Sequence, residues 1–261
     1  MKKPLVLIAT LIIFSEGIFA QFNSKLAYGS VKDIDNNTYK TIQIGRQIWM
    51  AENLRTTKYS DGSNIPIVTD IMEWENNENN GNPLQQPMMC WYDNDQTKYT
   101  TNKFGALYNW YAINPSTNGN KNVCPTGWHV PNDAEWDDLI MFLDPLYKPT
   151  ASPYVDQITT AGRKMKSTGT QYWLSPNKGA TNSSGFSGLP GGNRNPDGQF
   201  YDIGQLGEWW SSTEYKREDL GIPGVRNNDM ALSRYLANEN DEVYRTDYAM
   251  SCGLSVRCIR Y

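Results

Sequence analysis

The chain has 261 residues, with 28 acidic against 24 basic side chains, a net charge of −4 and a single histidine, His129. That balance, without a basic block, excludes a nucleic-acid binder, whose polyanionic partner demands a lysine- and arginine-rich face; one imidazole excludes a multi-histidine metal site. Nine tryptophans, 16 tyrosines and 39% hydrophobic content exclude disorder and mark a folded, turn-rich chain.

In chain order, Lys2 and Lys3 precede an apolar run from Leu5 to Phe14, and Ser15 to Ala20 supply a small, polar exit. This is the pattern of a secretory signal peptide, residues 1–20, with cleavage after Ala20. The run is about 11 residues, well short of the roughly 20 that a membrane-spanning helix needs. No cysteine follows it, so a lipid-anchored export signal is not expected. No second long apolar segment exists, and no direct membrane span is expected in the mature chain.

Residues 21–30 read as a lead-in and 31–261 as a single domain. Val31 to Tyr39 and Lys40 to Met50 predict a hairpin, with Ile42, Ile44, Ile48 and Met50 alternating around Gly45-Arg46 and a turn at Asn36-Asn37. The stretch from Asp33 resembles the start of a calcium loop but lacks the glycine and closing glutamate, so it reads as a turn. Residues 73–87 are polar and asparagine-rich, which predicts a surface loop. Phe104 to Ile113 places Ala106, Tyr108, Trp110 and Ala112 at period two, favouring a buried strand over a short helix.

Asn132, Glu135 and the stripe Trp136, Leu139, Ile140, Leu143 predict a capped amphipathic helix, stopped by Asp144-Pro145. A second, weaker helix is predicted over Tyr154 to Lys166. From Gly185 onward the chain reads as short strands between glycine, asparagine and proline turns, closing on an alternating strand from Leu254 to Tyr261. These elements predict an α+β domain of many short antiparallel strands and about two helices.

Export makes Cys90, Cys124, Cys252 and Cys258 interpretable as two disulfides. With a terminal strand, Cys252 and Cys258 stand roughly 20 Å apart, beyond the reach of a bond that needs Cα atoms within about 7 Å. Of the remaining connectivities, Cys124–Cys258 with Cys90–Cys252 is preferred.

Nine segments then carry a resemblance: DIDNNTYKT from Asp33, IGRQIWMAENL from Ile44, TKYSDGSNIP from Thr57, CWYDND from Cys90, GALYNWYA from Gly105, CPTGWHVP from Cys124, GFSGLPGG from Gly185, WWSSTEY from Trp209 and SVRC from Ser255. In this order they resemble the Fibrobacter succinogenes major paralogous domain, common in exported proteins of Bacteroidetes and Fibrobacteres, over roughly residues 31–261. The resemblance implies a C-type-lectin-like fold, more distantly similar to the formylglycine-generating group. In such folds the N- and C-terminal strands pair, which suits Cys124–Cys258; the Cys90–Cys252 pairing has no family support. Cell-surface or extracellular placement is implied, without a named ligand.

Candidate chemistry is weighed against packing. His129, within the CPTGWHVP segment, reads as a hydrogen-bonded structural residue because a general base would need a convergent nucleophile and carboxylate. Asp93, Asn94 and Asp95 offer hard oxygen ligands suited to calcium, against the commoner reading of a solvated turn. Aromatic side chains can stack on sugar rings while polar groups bond the hydroxyls. Trp91, Tyr92, Trp173, Tyr201, Trp209 and Trp210 are candidates, with Arg194 and Asp197 nearby in sequence; Trp173 and Tyr201 are the better bets for exposure, and Trp209-Trp210 for the core. The ligand-binding set is Trp173, Arg194, Asp197, Tyr201 and Trp209, and no catalytic residue is assigned.

The first functional expectation is a non-catalytic, exported recognition module, at the cell surface or outer membrane, binding a protein or a glycan, with periplasmic or extracellular release as other destinations. The second is a structural accessory subunit of an outer-membrane adhesion or secretion complex. The third and weakest is a cysteine-dependent enzyme related to the formylglycine-generating group. No cofactor is expected beyond the calcium reading.

Overall fold

The computed structural model describes residues 22–75, 85–101, 103–150, 159–215 and 229–261; the expected signal peptide, residues 1–20, lies outside them. The strands are β1 (Gly29–Lys32), β2 (Thr38–Ile44), β3 (Gln47–Met50), β4 (Met89–Cys90), β5 (Leu107–Tyr108), β6 (Asn193–Arg194), β7 (Phe200–Tyr201), β8 (Leu206–Tyr215), β9 (Met230–Ala237), β10 (Tyr244–Ala249) and β11 (Ile259–Arg260). The helices are α1 (Ile71–Glu75), α2 (Gln96–Thr101), α3 (Trp110–Ile113), α4 (Asp133–Leu143) and α5 (Ala161–Met165), with a 3-10 turn at Tyr92–Asn94. One sheet has the order β1-β2-β3-β11 and another β10-β9-β8; β4–β5 and β6–β7 form two-stranded ribbons. The domain is α+β, sheet-rich and poor in long helices.

The elements with a strong local pattern form as predicted. Thr41↔Met50 through Ile44↔Gln47 set the β2–β3 register, and Asp33 accepts the Asn37 backbone N–H at 2.9 Å in the preceding turn. At α4 the Asn132 side chain accepts from Glu135 N at 3.0 Å while Glu135 Oε2 accepts from Asn132 N at 2.8 Å. This reciprocal capping starts the helix, and its stripe of Trp136, Leu139, Ile140 and Leu143 is buried.

Weaker patterns resolve differently. Phe104 to Ile113 is not one strand: β5 is followed by α3, capped by the Asn109 side chain accepting from Ala112 N. Every residue from Gly105 to Ile113 is buried, so alternation there carries no facing information. The predicted surface loop 73–87 begins inside α1, whose Trp74 is fully buried. Of the predicted helix from Tyr154 to Lys166, α5 covers Ala161–Met165, and residues 151–158 lie outside the described residues. The described residues hold five helices where about two were expected, because α1, α2 and α3, of four to six residues, are too short to display a 3.6-residue period.

The C-terminal run is the largest correction. Only Ile259–Arg260 is strand, and the run from Ser251 to Ile259 is buried throughout. Its successive backbone groups bond to different elements: Gly253 with Arg194, Leu254 with Tyr108, Ser255 with Glu208 and Trp210, Val256 with Leu54, Cys258 with Met50, and Ile259 with His129. It is a central thread joining the sheets and ribbons, and Cys258 pins it to Cys124 through a disulfide. Cys90 and Cys252 do not form the expected second bond. Cys90 lies instead beside the Arg194 guanidinium, and Cys252 lies near Tyr248.

Two aromatic cores flank this thread. Adjacent residues of a strand face opposite sides, and Trp209 and Trp210 of β8 accordingly enter different cores. Trp209 packs near Trp49, Trp136 and Phe186, with the Phe186–Trp209 centroids 5.5 Å apart. Trp210 packs beside Tyr108, whose carbonyl accepts its indole N–H at 2.7 Å.

Loops crossing such cores carry carbonyls with no strand partner, and each must be satisfied. Three fully buried cations do this. Lys166 Nζ donates to the carbonyls of Lys178 at 2.8 Å and Ala237 at 2.9 Å, and also to that of Asn240; burial lowers it to about 8. Arg257 donates to the Phe186 and Ser187 carbonyls and, from Nε, to Asn53 Oδ1 at 2.9 Å. Arg194 is the third. By contrast Arg234 pairs with Asp133 and Asp137, each at 2.7 Å. Burial alone would raise Asp133, but Arg234 and Arg245 outweigh it and hold its carboxyl below the usual range.

Candidate recognition surface

The β6–β7 ribbon carries three of the predicted ligand residues. Its register, Asn193↔Tyr201 and Arg194↔Phe200, leaves a turn in which Gly198 N donates to Asn195 O and Asp197 Oδ1 accepts from Gln199 N. Gly198 adopts φ 75°, and a Cβ there would stand 2.9 Å from Ile71 Cγ2, so glycine lets this turn rest against α1. Tyr201 is 41% exposed and its hydroxyl donates to Asp197 Oδ2 at 3.2 Å.

Arg194 lies beneath, not on, this surface. Its guanidinium is 4.3 Å from the Trp74 ring centroid and 4.9 Å from that of Phe200. Nε donates to Gly198 O at 2.9 Å and Nη1 to Val68 O at 2.7 Å. One buried cation therefore clamps the ribbon turn to the segment that enters α1.

On α1, Asp70 Oδ1 accepts from Glu73 N at 2.9 Å. The helix turns Trp74 inward and leaves Ile71 43% and Met72 62% exposed, beside Ile67 at 49%. The 3-10 turn completes the face. Asp93 and Asn94 hold left-handed φ angles of 51° and 57°. Asn94 Nδ2 donates to Thr69 O at 3.0 Å, and Asp95 Oδ1 accepts from Lys98 N at 2.9 Å. Tyr92 carries this turn onto Phe200, centroids 5.1 Å apart.

The 3-10 turn with Asp93, Asn94 and Asp95 and the ribbon turn with Asp197 and Tyr201 are thus each joined to the segment that carries α1. The rest of the predicted set does not join it. Trp173 is fully buried, its indole donating to Ser167 Oγ and Gly188 O. This corrects its expected exposure: an indole N–H takes a place in the core when a partner stands there. Trp209 is fully buried too, bonded to Asn53 Oδ1 at 2.9 Å, and Trp91, Tyr92 and Trp210 are likewise interior. Ile67, Ile71 and Met72 were absent from the predicted set; the Asp70-to-Glu73 capping spacing is the signal that could have revealed α1 and its outward pair.

Elsewhere, His129 Nε2 lies 2.8 Å from Glu135 Oε1, the carboxylate that also caps α4. The Cys90 thiol is fully buried and pushed up to about 12 by that burial, the reverse of an activated thiolate. Among the described residues no group of three or more His, Cys, Asp or Glu could hold a metal ion, and no helix is long and apolar enough to cross a membrane.

Beneath the ribbon sits Glu208 of β8, fully buried. Tyr248 donates its hydroxyl to Oε1, and Asn193 Nδ2 donates to Oε2 at 2.8 Å and to Asp202 Oδ2 at 3.2 Å. Burial raises this carboxyl to about 7, the two donors opposing and Asp202 adding to the rise. The folded state therefore holds a proton that the unfolded chain loses at lower pH. The contribution of Glu208 is fully present below the ordinary carboxylate range and is lost as pH rises through about 7. Glu208→Gln is expected to raise stability at pH 8 relative to pH 5 by about 2 kcal/mol compared with wild type. Thermal melts of both proteins at both pH values check this; an equal pH difference in the two would refute it.

The family model described as Fibrobacter succinogenes major domain matches residues 42–260. The chain belongs to that family. No curated protein and no solved structure matches.

Proposed function

We propose that this chain is an exported, non-catalytic recognition module that works at the cell surface or outer membrane and binds a protein or a glycan. The observation that carries this reading is the face of α1, the 3-10 turn and the β6–β7 ribbon. There, exposed Ile67, Ile71, Met72 and Tyr201 stand on segments held rigidly from below by Arg194. Single exposed apolar side chains are ordinary, whereas a group on one braced face suggests a contact surface. The signal-peptide pattern of residues 1–20 supports export, and the disulfide fits an oxidising compartment. The inert setting of Cys90 supports a non-catalytic role.

A C-type-lectin-like arrangement is part of the proposal, supported by β11 pairing with β3 so that the chain's two ends share one sheet. The second reading, an accessory subunit of an adhesion or secretion complex, draws on the same exposed aliphatic side chains, which a permanent partner would cover.

Two measurements test these readings. Cross-linking and co-purification from native envelopes should recover a defined partner, and Met72→Glu should weaken its recovery. A glycan array on the mature chain, with and without calcium, addresses sugars. Recovery solely as free monomer together with a blank array would refute both readings.

A further inference from the structure

We propose that the face formed by α1, the 3-10 turn and the β6–β7 ribbon docks a polypeptide segment in which lysine or arginine residues flank an aliphatic or aromatic anchor. This deepens the recognition reading and rests on it. Two properties of the face select that partner.

The first is charge. Asp70, Glu73, Asp93, Asp95 and Asp197 are exposed around Ile71, Met72 and Tyr201, and Asp202 is half-buried at the end of β7. Five of these carboxylates accept local hydrogen bonds: Asp70 from Glu73 N, Asp95 from Lys98 N, Asp93 from the Tyr99 hydroxyl, Asp197 from Gln199 N and Tyr201, Asp202 from Asn193. Those bonds explain why acids stand in the turns; Lys98 attracts Asp93 and Asp95, and the other carboxylates keep their charge uncompensated. Among the described residues, the ion pairs involve other carboxylates: Asp35, Glu52, Asp133, Glu135, Asp137, Asp138 and Asp241. The face keeps its negative potential for something outside the chain, with exposed Lys98 and buried Arg194 as the cations nearby. A partner bearing ammonium or guanidinium groups is complementary.

The second is the shape of the apolar part. Sugar recognition uses a flat ring laid against a pyranose. Here Tyr201 supplies the one exposed aromatic ring on the face, and Asp197 holds its hydroxyl. Ile67, Ile71 and Met72 are aliphatic or thioether groups, and the unbranched methionine adapts its shape to another side chain. Aliphatic anchors with an acidic surround suit a cationic peptide better than a saccharide.

The test uses the mature chain and three synthetic peptides followed by fluorescence anisotropy: one with alternating lysines around a Leu-Phe pair, its glutamate-for-lysine twin, and its alanine-for-Leu-Phe twin. The lysine peptide is expected to bind, and both twins about tenfold more weakly or worse. Met72→Lys and Glu73→Lys should each weaken it about tenfold, since both side chains are exposed, their replacement leaves the core intact, and each puts a like charge against the peptide. Leu146→Glu, at an 88% exposed position on another segment, should leave binding unchanged. Added salt should weaken the lysine peptide and calcium should compete weakly at most. Equal binding of the lysine and glutamate peptides, or binding indifferent to Met72→Lys and Glu73→Lys, overturns the inference. Recovery of an acidic protein or a glycan in a Met72-dependent manner also overturns it while leaving the recognition reading standing. Envelope partners recovered equally with Met72→Glu refute this face as the contact surface altogether.

Discussion

Replacing Arg257 with methionine is expected to cost about 4 kcal/mol, a large fraction of the stability of a typical domain. Arg257 is fully buried between Phe186, 4.1 Å to the ring centroid, and Trp209, at 5.4 Å. Its guanidinium satisfies carbonyls on two sides of the molecule, Phe186 and Ser187 in one loop and Met50 at the end of β3, together with the Asn53 side chain. Asn53 in turn donates to Phe104 O and accepts from Trp209 Nε1. Methionine would fill much of the volume but leave the Phe186 and Ser187 carbonyls buried without this donor, and each such group costs about 1–3 kcal/mol. Burial lowers the guanidinium to about 9, so it is charged at neutral pH. Arg257→Lys, which keeps the charge and loses the planar fork, should fall between wild type and methionine. Urea unfolding midpoints provide the measurement; a loss under about 1 kcal/mol for methionine would show that the carbonyls find other partners.

Breaking the Cys124–Cys258 disulfide should have an effect of similar size. The two cysteines are 134 residues apart in sequence, so the bond closes a loop that spans the C-terminal half of the chain. Loop-closure entropy in the unfolded state then corresponds to about 4–5 kcal/mol, the upper part of the usual range. Cys258 also belongs to the buried C-terminal thread, and its carbonyl accepts from Met50 N. Cys124→Ala with Cys258→Ala should lower the melting temperature sharply, and reductant should do the same to wild type without affecting the double variant. Cys90→Ala, by contrast, removes a buried thiol that carries no disulfide and should leave reductant sensitivity unchanged. Persistence of the wild-type melting temperature in reductant would contradict the assignment of this bond as the main covalent restraint.

The candidate face shows which kinds of information reside in local sequence. The Asn-Pro-Asp-Gly turn before β7 was legible from its residue types, and so was Tyr201 as an exposed aromatic. The Asp93 turn was legible as a turn. Their meeting with Ile71 and Met72 was not, because it depends on Arg194 reaching from β6 to the carbonyl of Val68, more than a hundred residues away. Trp173 illustrates the converse error. An irregular, polar neighbourhood suggested exposure, yet acceptors on Ser167 and Gly188, brought near in space, made the interior favourable for its indole N–H.

By itself the sequence determined what short-range physics can settle. The Asn132–Glu135 capping box, the alternation of β2 and β3 around Gly45, the absence of a basic face and the ordered motifs of the family all lie within segments where neighbours decide the outcome. Only the tertiary structure decided which charged groups are inside. Lys166, Arg194 and Arg257 look like surface residues in the chain, since isolated cations are costly to bury. Irregular loops brought together from distant positions present them with carbonyl groups that lack strand partners, and each cation satisfies several at once. That exchange between an unpaired carbonyl and a desolvated cation exists only after folding, which is why no local pattern announces it.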